Sequence, residues 1–118
     1  MNIPSVLVEE SNLTEAQLES LLSYVRVVGG GMRLKEAAAS RAGKSVTVGS
    51  YYRTVQQGRA RVRESMVTVL VAVAIGLVRV EDVRKLFELF SCEGAQVAEE
   101  DRKRFADVLR ALLDRIVT

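Results

Sequence analysis

The chain has 118 residues, no histidine and a single cysteine, Cys92. A chain of this length buries enough apolar surface to fold as one domain, here residues 1–118, without a metal or a disulfide. Because histidine is absent and the cysteine stands alone, the common zinc sites and catalysis by Ser-His-Asp or Cys-His groups are excluded. We expect no enzymatic activity and no cofactor.

The first residues precede a helix with a clear start signal. Asn2–Ser11 holds a short apolar run before two glutamates and predicts an extended arm or an edge strand. Thr14-Glu15-Ala16-Gln17 has the capping-box pattern, so we expect a helix to begin there. Its apolar residues recur at helical spacing as far as Val28, and the triplet Gly29–Gly31 ends it.

The next stretch, Met32–Arg63, carries most of the positive charge. It has eight basic residues against one acidic residue, a net charge of +7, whereas the remainder of the chain carries −5. The formal charge of +2 for the whole chain therefore hides a strong segregation. A segment with this much positive charge is typical of proteins that bind a polyanion.

Two helices are predicted within this stretch. The first, Leu34–Ala42, consists of helix formers, and Gly43 is placed to end it. Thr47 or Ser50 can cap a second helix that begins at Tyr51 and continues without a proline. At about 100° per residue, this helix has an apolar side and a polar, cationic side. The apolar side contains Tyr51, Val55, Gly58, Val62, Met66, Val69 and Val73, and the polar side contains Tyr52, Arg53, Gln56, Gln57, Ala60 and Arg63.

The pair of helices resembles a helix-turn-helix DNA-binding module, most closely the region-4 type found in sigma factors and small prokaryotic transcriptional regulators. In that motif a small residue stands four positions before a turn glycine, and apolar residues follow at fixed spacing. The matching residues here are Ala39, Gly43, Val46, Tyr51, Val55 and the run Val48-Gly49-Ser50. Lys44-Ser45 makes the turn two residues longer than the motif has it. The resemblance implies a three-helix helix-turn-helix core over residues 12–63.

Residues 64–118 are predicted to be a helical extension, which opens with the almost unbroken apolar run Met66–Val78. Its valines favour strand, so two short strands are one alternative. We favour a helix, because the apolar side of the preceding helix continues in phase through this run until Gly76. A helix that is apolar on nearly all sides must be shielded from water on nearly all sides. This predicts either a buried central helix or a subunit interface.

Two amphipathic helices complete the extension. Val80–Ser91 places Val83, Leu86, Phe87 and Phe90 on its buried face. Glu99–Val117 places a regular apolar stripe from Phe105 to Ile116 on one side. We therefore predict an all-α fold, in which a helix-turn-helix three-helix core is extended by a buried central helix and two C-terminal amphipathic helices. We also expect a homodimer that forms through Met66–Val78, through Phe105–Ile116 or through both, and favour the C-terminal stripe, although a monomeric bundle is the alternative.

The sequence shows the pattern of neither a membrane span nor a secretory signal. Met66–Val78 is too short to span a bilayer and is flanked by Arg63 and Arg79. The N-terminus lacks the basic and apolar regions of a secretory signal. We expect a cytoplasmic protein with no membrane partner.

The function predicted from these features is sequence-specific binding of double-stranded DNA by a transcriptional regulator. Phosphate contacts would hold the protein on the duplex, and hydrogen bonds to base edges would select the sequence. The residues predicted to contact phosphates are Arg33, Lys35, Lys44, Arg59, Arg61 and Arg63. The residues predicted to contact bases are Thr47, Ser50, Tyr52, Arg53, Gln56 and Gln57.

Parts of the sequence fit three other interpretations. A non-specific DNA or RNA binder would use Tyr51 and Tyr52 to stack on bases. A protein-interaction adaptor would dock the basic face onto an acidic partner. Ala38–Ser45 satisfies a loose P-loop pattern, but this segment consists of helix formers and follows no strand, which argues against nucleotide hydrolysis.

Overall fold

A computed structural model describes residues 5–40, 46–93 and 101–117 of the chain. Within these residues all regular structure is helical, which confirms the predicted all-α class. The helices are α1 (Ser5–Glu10), α2 (Glu15–Val28), α3 (Leu34–Ala39), α4 (Val48–Ala74), α5 (Val80–Glu93) and α6 (Arg102–Ile116). No helix in the described ranges combines the length and the apolar character needed to cross a membrane.

The chain forms two compact units. The first unit is Asn12–Met66, and the second combines residues 5–11 with the described residues from 67 onward. The first unit therefore contains α2, α3 and the N-terminal part of α4, whereas the second contains α1, α5, α6 and the C-terminal part of α4.

The helix α2 begins and ends where the sequence predicts. The Thr14 hydroxyl accepts a hydrogen bond from the backbone N–H of Gln17 at 3.1 Å, and the Gln17 side-chain oxygen accepts one from the Thr14 N–H at 3.0 Å. These two bonds form the predicted capping box, which satisfies two N–H groups that lack an intrahelical partner. At the other end Gly29 caps the helix and Gly30 has φ +82°, a conformation that a residue with a side chain rarely adopts.

The core of the first unit lies where α3 and α4 meet α2. Ala37, Ala38, Tyr51 and Val55 are buried there. Six half-buried residues surround them, namely Leu21, Tyr24, Val27, Met32, Leu34 and Val46. α3 has only six residues and is too short to be stable alone, so it depends on packing. Its small side chains let it lie close to its neighbours.

The details of α3 differ from the motif-based prediction. Ala39, which matches the small residue of the motif, is exposed, whereas Ala37 and Ala38 are buried. The helix also ends at Ala39, with Ser40 as its C-cap, instead of continuing to Ala42. Leu34, Ala37 and Ala38 share the face of α3 that packs on the core, and Ala39 falls outside that face. The predicted stop at Gly43 and the predicted contact residue Lys44 lie outside the described residues.

The N-terminal segment is a helix, and the prediction of an extended arm or edge strand is wrong. α1 spans Ser5–Glu10, and the Ser11 hydroxyl donates a hydrogen bond to the carbonyl of Val8 at its end. Glu10 pairs with Arg110 of α6 at 2.8 Å, so α1 packs along that helix. The local preference of valine for strand is overridden by this packing.

The C-terminal half of α4 is helical as predicted, but it is not a buried central helix. α4 is continuous to Ala74, and Gly76 makes the following turn with φ +82°. Leu70 and Ile75 remain 68% and 72% exposed, and of the residues from Met66 to Val78 only Val78 is buried. The described part of a single chain therefore does not cover this apolar helix.

The second unit packs α6 against α5 and α1. The rings of Phe90 and Phe105 stack with centroids 6.3 Å apart, and Ala106 and Leu109 are buried beside them. Phe105 and Leu109 of the stripe Phe105–Ile116 thus pack within this unit, whereas Val108 and Leu113 of the same stripe are 47% and 37% exposed. Phe87 and Phe90, both predicted to be buried, are 63% and 39% exposed, and Leu89 is half-buried on α5 instead.

Candidate nucleic-acid interface

The candidate interface begins at the N-terminus of α4. The backbone N–H of Ser50 donates to the Thr47 hydroxyl at 3.1 Å, so Thr47, and not Ser50, provides the cap. As a result α4 starts at Val48, three residues before the predicted start at Tyr51. The first turn then contains Gly49 and Ser50, whose N–H groups belong to the positive end of the helix dipole.

The face that α4 exposes is determined by the face that it buries. Tyr51, Val55 and Gly58 are buried, as the sequence predicts. Gly58 allows close approach to α2, because a Cβ atom at this position would lie 2.8 Å from Leu21 Cδ1. With this stripe against α2, the opposite side of the helix faces solvent.

The predicted base-contacting residues all lie on the exposed part of the helix start. Thr47, Ser50, Tyr52, Arg53, Gln56 and Gln57 are each exposed. Arg53 lies opposite the buried stripe, and Gln57, one turn later, lies beside that position on the same exposed face. Their side chains therefore project away from the supporting helices, as a base-reading helix needs in the major groove.

Three of the predicted residues, Tyr52, Gln56 and Arg59, form a chain of contacts along one edge of α4. Gln56 Nε2 donates to the Tyr52 hydroxyl at 2.9 Å, and Arg59 Nη1 donates to Gln56 Oε1 at 3.0 Å. The Tyr52 ring packs edge-on against Tyr24 of α2, with centroids 6.4 Å apart, and the Arg59 guanidinium lies 5.9 Å from the Tyr24 centroid. The Gln56 amide thus has a partner at both its nitrogen and its oxygen, and a contact with a base would replace one of these two hydrogen bonds.

Tyr24 is the member of this edge that sequence reasoning missed. It belongs to α2, and only the crossing of α2 over α4 brings it to Tyr52 and Arg59. One signal was available, because Tyr24 stands three residues after Leu21 on the packing side of α2. That spacing does not reveal which residues of α4 it meets.

The predicted phosphate contacts are distributed around the unit. Arg59 and Arg63 stand one turn apart on the Tyr24 edge of α4, whereas Arg61 lies on the opposite edge. Arg33 is the N-cap of α3 and Lys35 lies in its first turn. All five are exposed, so cations stand on both edges of the Arg53–Gln57 face and on a second helix.

Comparisons with protein-family models, with curated proteins and with solved structures found no match to this chain.

Proposed function

We propose that this protein binds double-stranded DNA in a sequence-specific manner through the N-terminal half of α4 and acts as a transcriptional regulator. The observation that carries the proposal is the fixed setting of α4. Its Tyr51–Val55–Gly58 stripe is buried against supporting helices, while Arg53 and Gln57 occupy the opposite, exposed face. A helix held in this way fits the major groove, where arginine pairs with guanine and glutamine with adenine.

Charge supports the same assignment. The segment Met32–Arg63 has a net charge of +7 in a chain of net charge +2. Cations on both edges of α4 can reach the phosphates of both strands when the helix lies in the groove between them. We assign that role to Arg33, Lys35, Lys44, Arg59, Arg61 and Arg63.

Stacking on single-stranded nucleic acid has less support. Tyr51 is 0% exposed and has no face for a base. Tyr52 is exposed but packs against Tyr24 and accepts a hydrogen bond from Gln56. Stacking platforms need aromatic faces open to successive bases, which this arrangement does not offer.

Fluorescence anisotropy with labelled duplex and labelled single strand of the same sequence tests the proposal. We expect the duplex to bind more tightly, and unlabelled duplexes of different sequence to compete unequally. Equal binding of duplex and single strand, or equal competition by all duplexes, would contradict sequence-specific duplex recognition.

We further propose that two copies assemble through the C-terminal half of α4. Val67, Leu70, Val71 and Ala74 follow the i, i+3, i+4, i+7 spacing of a packing stripe, yet all four are exposed. One helix-turn-helix reads only a few base pairs, and a two-fold dimer places two such helices about 34 Å apart on the duplex. Pairing of this stripe with its copy removes apolar surface from water and doubles the length of the DNA site.

A further inference from the structure

A groove on the first unit is distinct from the Arg53–Gln57 face. It has a volume of about 520 Å³ and lies between α2 and α4. Val25 and Val28 form its wall on α2, and Val62 and Met66 form its wall on α4. Val25, Val28 and Met66 are 64%, 70% and 64% exposed, although each is apolar. The groove thus has apolar walls that nothing in the described part of the chain covers.

Two arginines give the groove its charge. Arg59 and Arg63 line it one turn apart on α4, and none of the residues that line it is acidic. Arg59 is held in place by its hydrogen bond to Gln56 and by the Tyr24 ring beneath it. An occupant that places carboxylates at this rim gains charge-assisted hydrogen bonds that a neutral occupant lacks.

The shape of the groove favours a helix over a small molecule. Small-molecule sites usually enclose most of the ligand surface, whereas this groove is open along its length and its walls are largely exposed. Two adjacent helices leave a furrow that a third helix can fill with apolar side chains. Glutamate or aspartate on the flank of such a helix would meet Arg59 and Arg63.

A second copy of the chain does not supply those charges from its most exposed apolar segment. Residues 65–78 contain no aspartate or glutamate. Pairing of that segment with the groove would leave Arg59 and Arg63 without carboxylates, so charge complementarity favours an acidic helix over this segment.

We propose that the groove between α2 and α4 binds an amphipathic helix of another protein, with an apolar stripe in the groove and acidic residues against Arg59 and Arg63. Arg53 and Gln57 do not line the groove, whereas Arg59 and Arg63 also belong to the residues assigned to phosphate contacts. A bound acidic helix and DNA would therefore compete for these two arginines, and the interaction is measured without DNA.

The test uses two labelled probe peptides of about 18 residues, a length sufficient for a helix in water. Both carry leucines at i, i+3, i+4 and i+7, one flanked by glutamates and the other by lysines. Anisotropy with the full chain at about 0.15 M salt, where distant charges are screened, compares them. We expect the glutamate probe to bind at least about tenfold more tightly, because only it complements the two arginines.

Three variants locate the binding. Arg63→Glu should weaken the glutamate probe about tenfold and strengthen the lysine probe, because the charge at the rim is reversed. Val28→Asp should weaken the glutamate probe about tenfold without unfolding the protein, because Val28 is largely exposed. Arg61→Glu is the matched control, with the same charge change on the opposite edge of α4, and should change either affinity by less than about twofold.

Several results would overturn the proposal. Equal affinity for the two probes, binding of neither probe, or an equal loss in Arg61→Glu and Arg63→Glu would each exclude an acidic helix in this groove. Sedimentation is run on the same proteins with no probe. Conversion of a dimer to a monomer by Val28→Asp would show that a second copy covers the groove, and the proposal would fail. Circular dichroism confirms that each variant keeps its helix content.

Discussion

The Tyr51 hydroxyl donates a hydrogen bond to the backbone carbonyl of Ser20 at 2.9 Å, and so joins α4 to α2 in the core of the first unit. Ser23 Oγ lies 2.6 Å from the same phenol oxygen. Because Tyr51 is fully buried, these contacts fix the rotation of α4 about its axis. That rotation decides that Arg53 and Gln57 face solvent.

Removal of the Tyr51 hydroxyl should therefore lower stability. Tyr51→Phe keeps the ring in the core but leaves the buried Ser20 carbonyl without this donor, so we expect a loss of about 1–2 kcal/mol in the free energy of unfolding. Tyr52→Phe is the control, since its hydroxyl is at the surface, and should cost less than about 0.5 kcal/mol. Urea denaturation measures both variants. Equal losses would mean that the Tyr51–Ser20 bond does not hold the two helices together.

The close approach of α2 and α4 at Gly58 predicts that a valine destabilises the protein more at position 58 than at position 60. Gly58→Val places a branched side chain where a Cβ atom alone would lie 2.8 Å from Leu21 Cδ1, and should destabilise the protein by about 2 kcal/mol. Ala60→Val makes a valine two residues away on the exposed face and should change stability by less than about 0.5 kcal/mol. Thermal unfolding of the two variants gives the comparison. Similar melting temperatures would contradict the close packing of Gly58 against Leu21.

Features that depend on neighbouring residues were predictable from the sequence. The capping box of Thr14 and Gln17 is a local pattern, and it forms as predicted. The buried stripe of α4 is equally local, since it follows from the 3.6-residue period, and Tyr51, Val55 and Gly58 obey it.

Features that depend on distant residues were not predictable. The same period places Val62 on the apolar side of α4, yet Val62 is exposed because α2 leaves a groove there. Phe87 fits the stripe of α5 but remains largely exposed. Periodicity tells which residues share a face, whereas the crossing of the helices decides how much of that face is covered. The contact of Tyr24 with Arg59 was missed for the same reason.

The two apolar surfaces of the C-terminal region lead to opposite expectations for self-association. Leu70→Glu places a charge on an exposed stripe, so it should convert a dimer to a monomer while the helix content is retained. Leu109→Glu buries a charge within its own unit, where Leu109 is only 3% exposed, and should lower the melting temperature instead. Sedimentation at micromolar concentration, together with circular dichroism, separates the two effects. A wild-type protein that is monomeric under these conditions would remove the dimer from the proposal.

Binding of duplex DNA should weaken steeply with salt. Each phosphate contact contributes about 0.9 to the slope of log affinity against log salt, so about four to six contacts give a slope of roughly −4 to −5. Arg61→Ala should reduce the magnitude of this slope by about one contact's share. Anisotropy titrations over a range of salt concentrations give the slope. A slope near zero would contradict the use of the basic segment as a phosphate-binding surface.

Base recognition by α4 is tested most directly by selection of bound sequences from a random duplex library with the wild-type protein, Arg53→Ala and Arg61→Ala. We predict that the wild type enriches a defined motif. Arg53→Ala should lose preference at one position of that motif and about 1–3 kcal/mol on the best site, because a base contact is removed. Arg61→Ala should enrich the same motif and weaken all sequences about equally, because only a phosphate contact is lost. Absence of any enriched motif, or the same change in both variants, would contradict base recognition by the exposed face of α4.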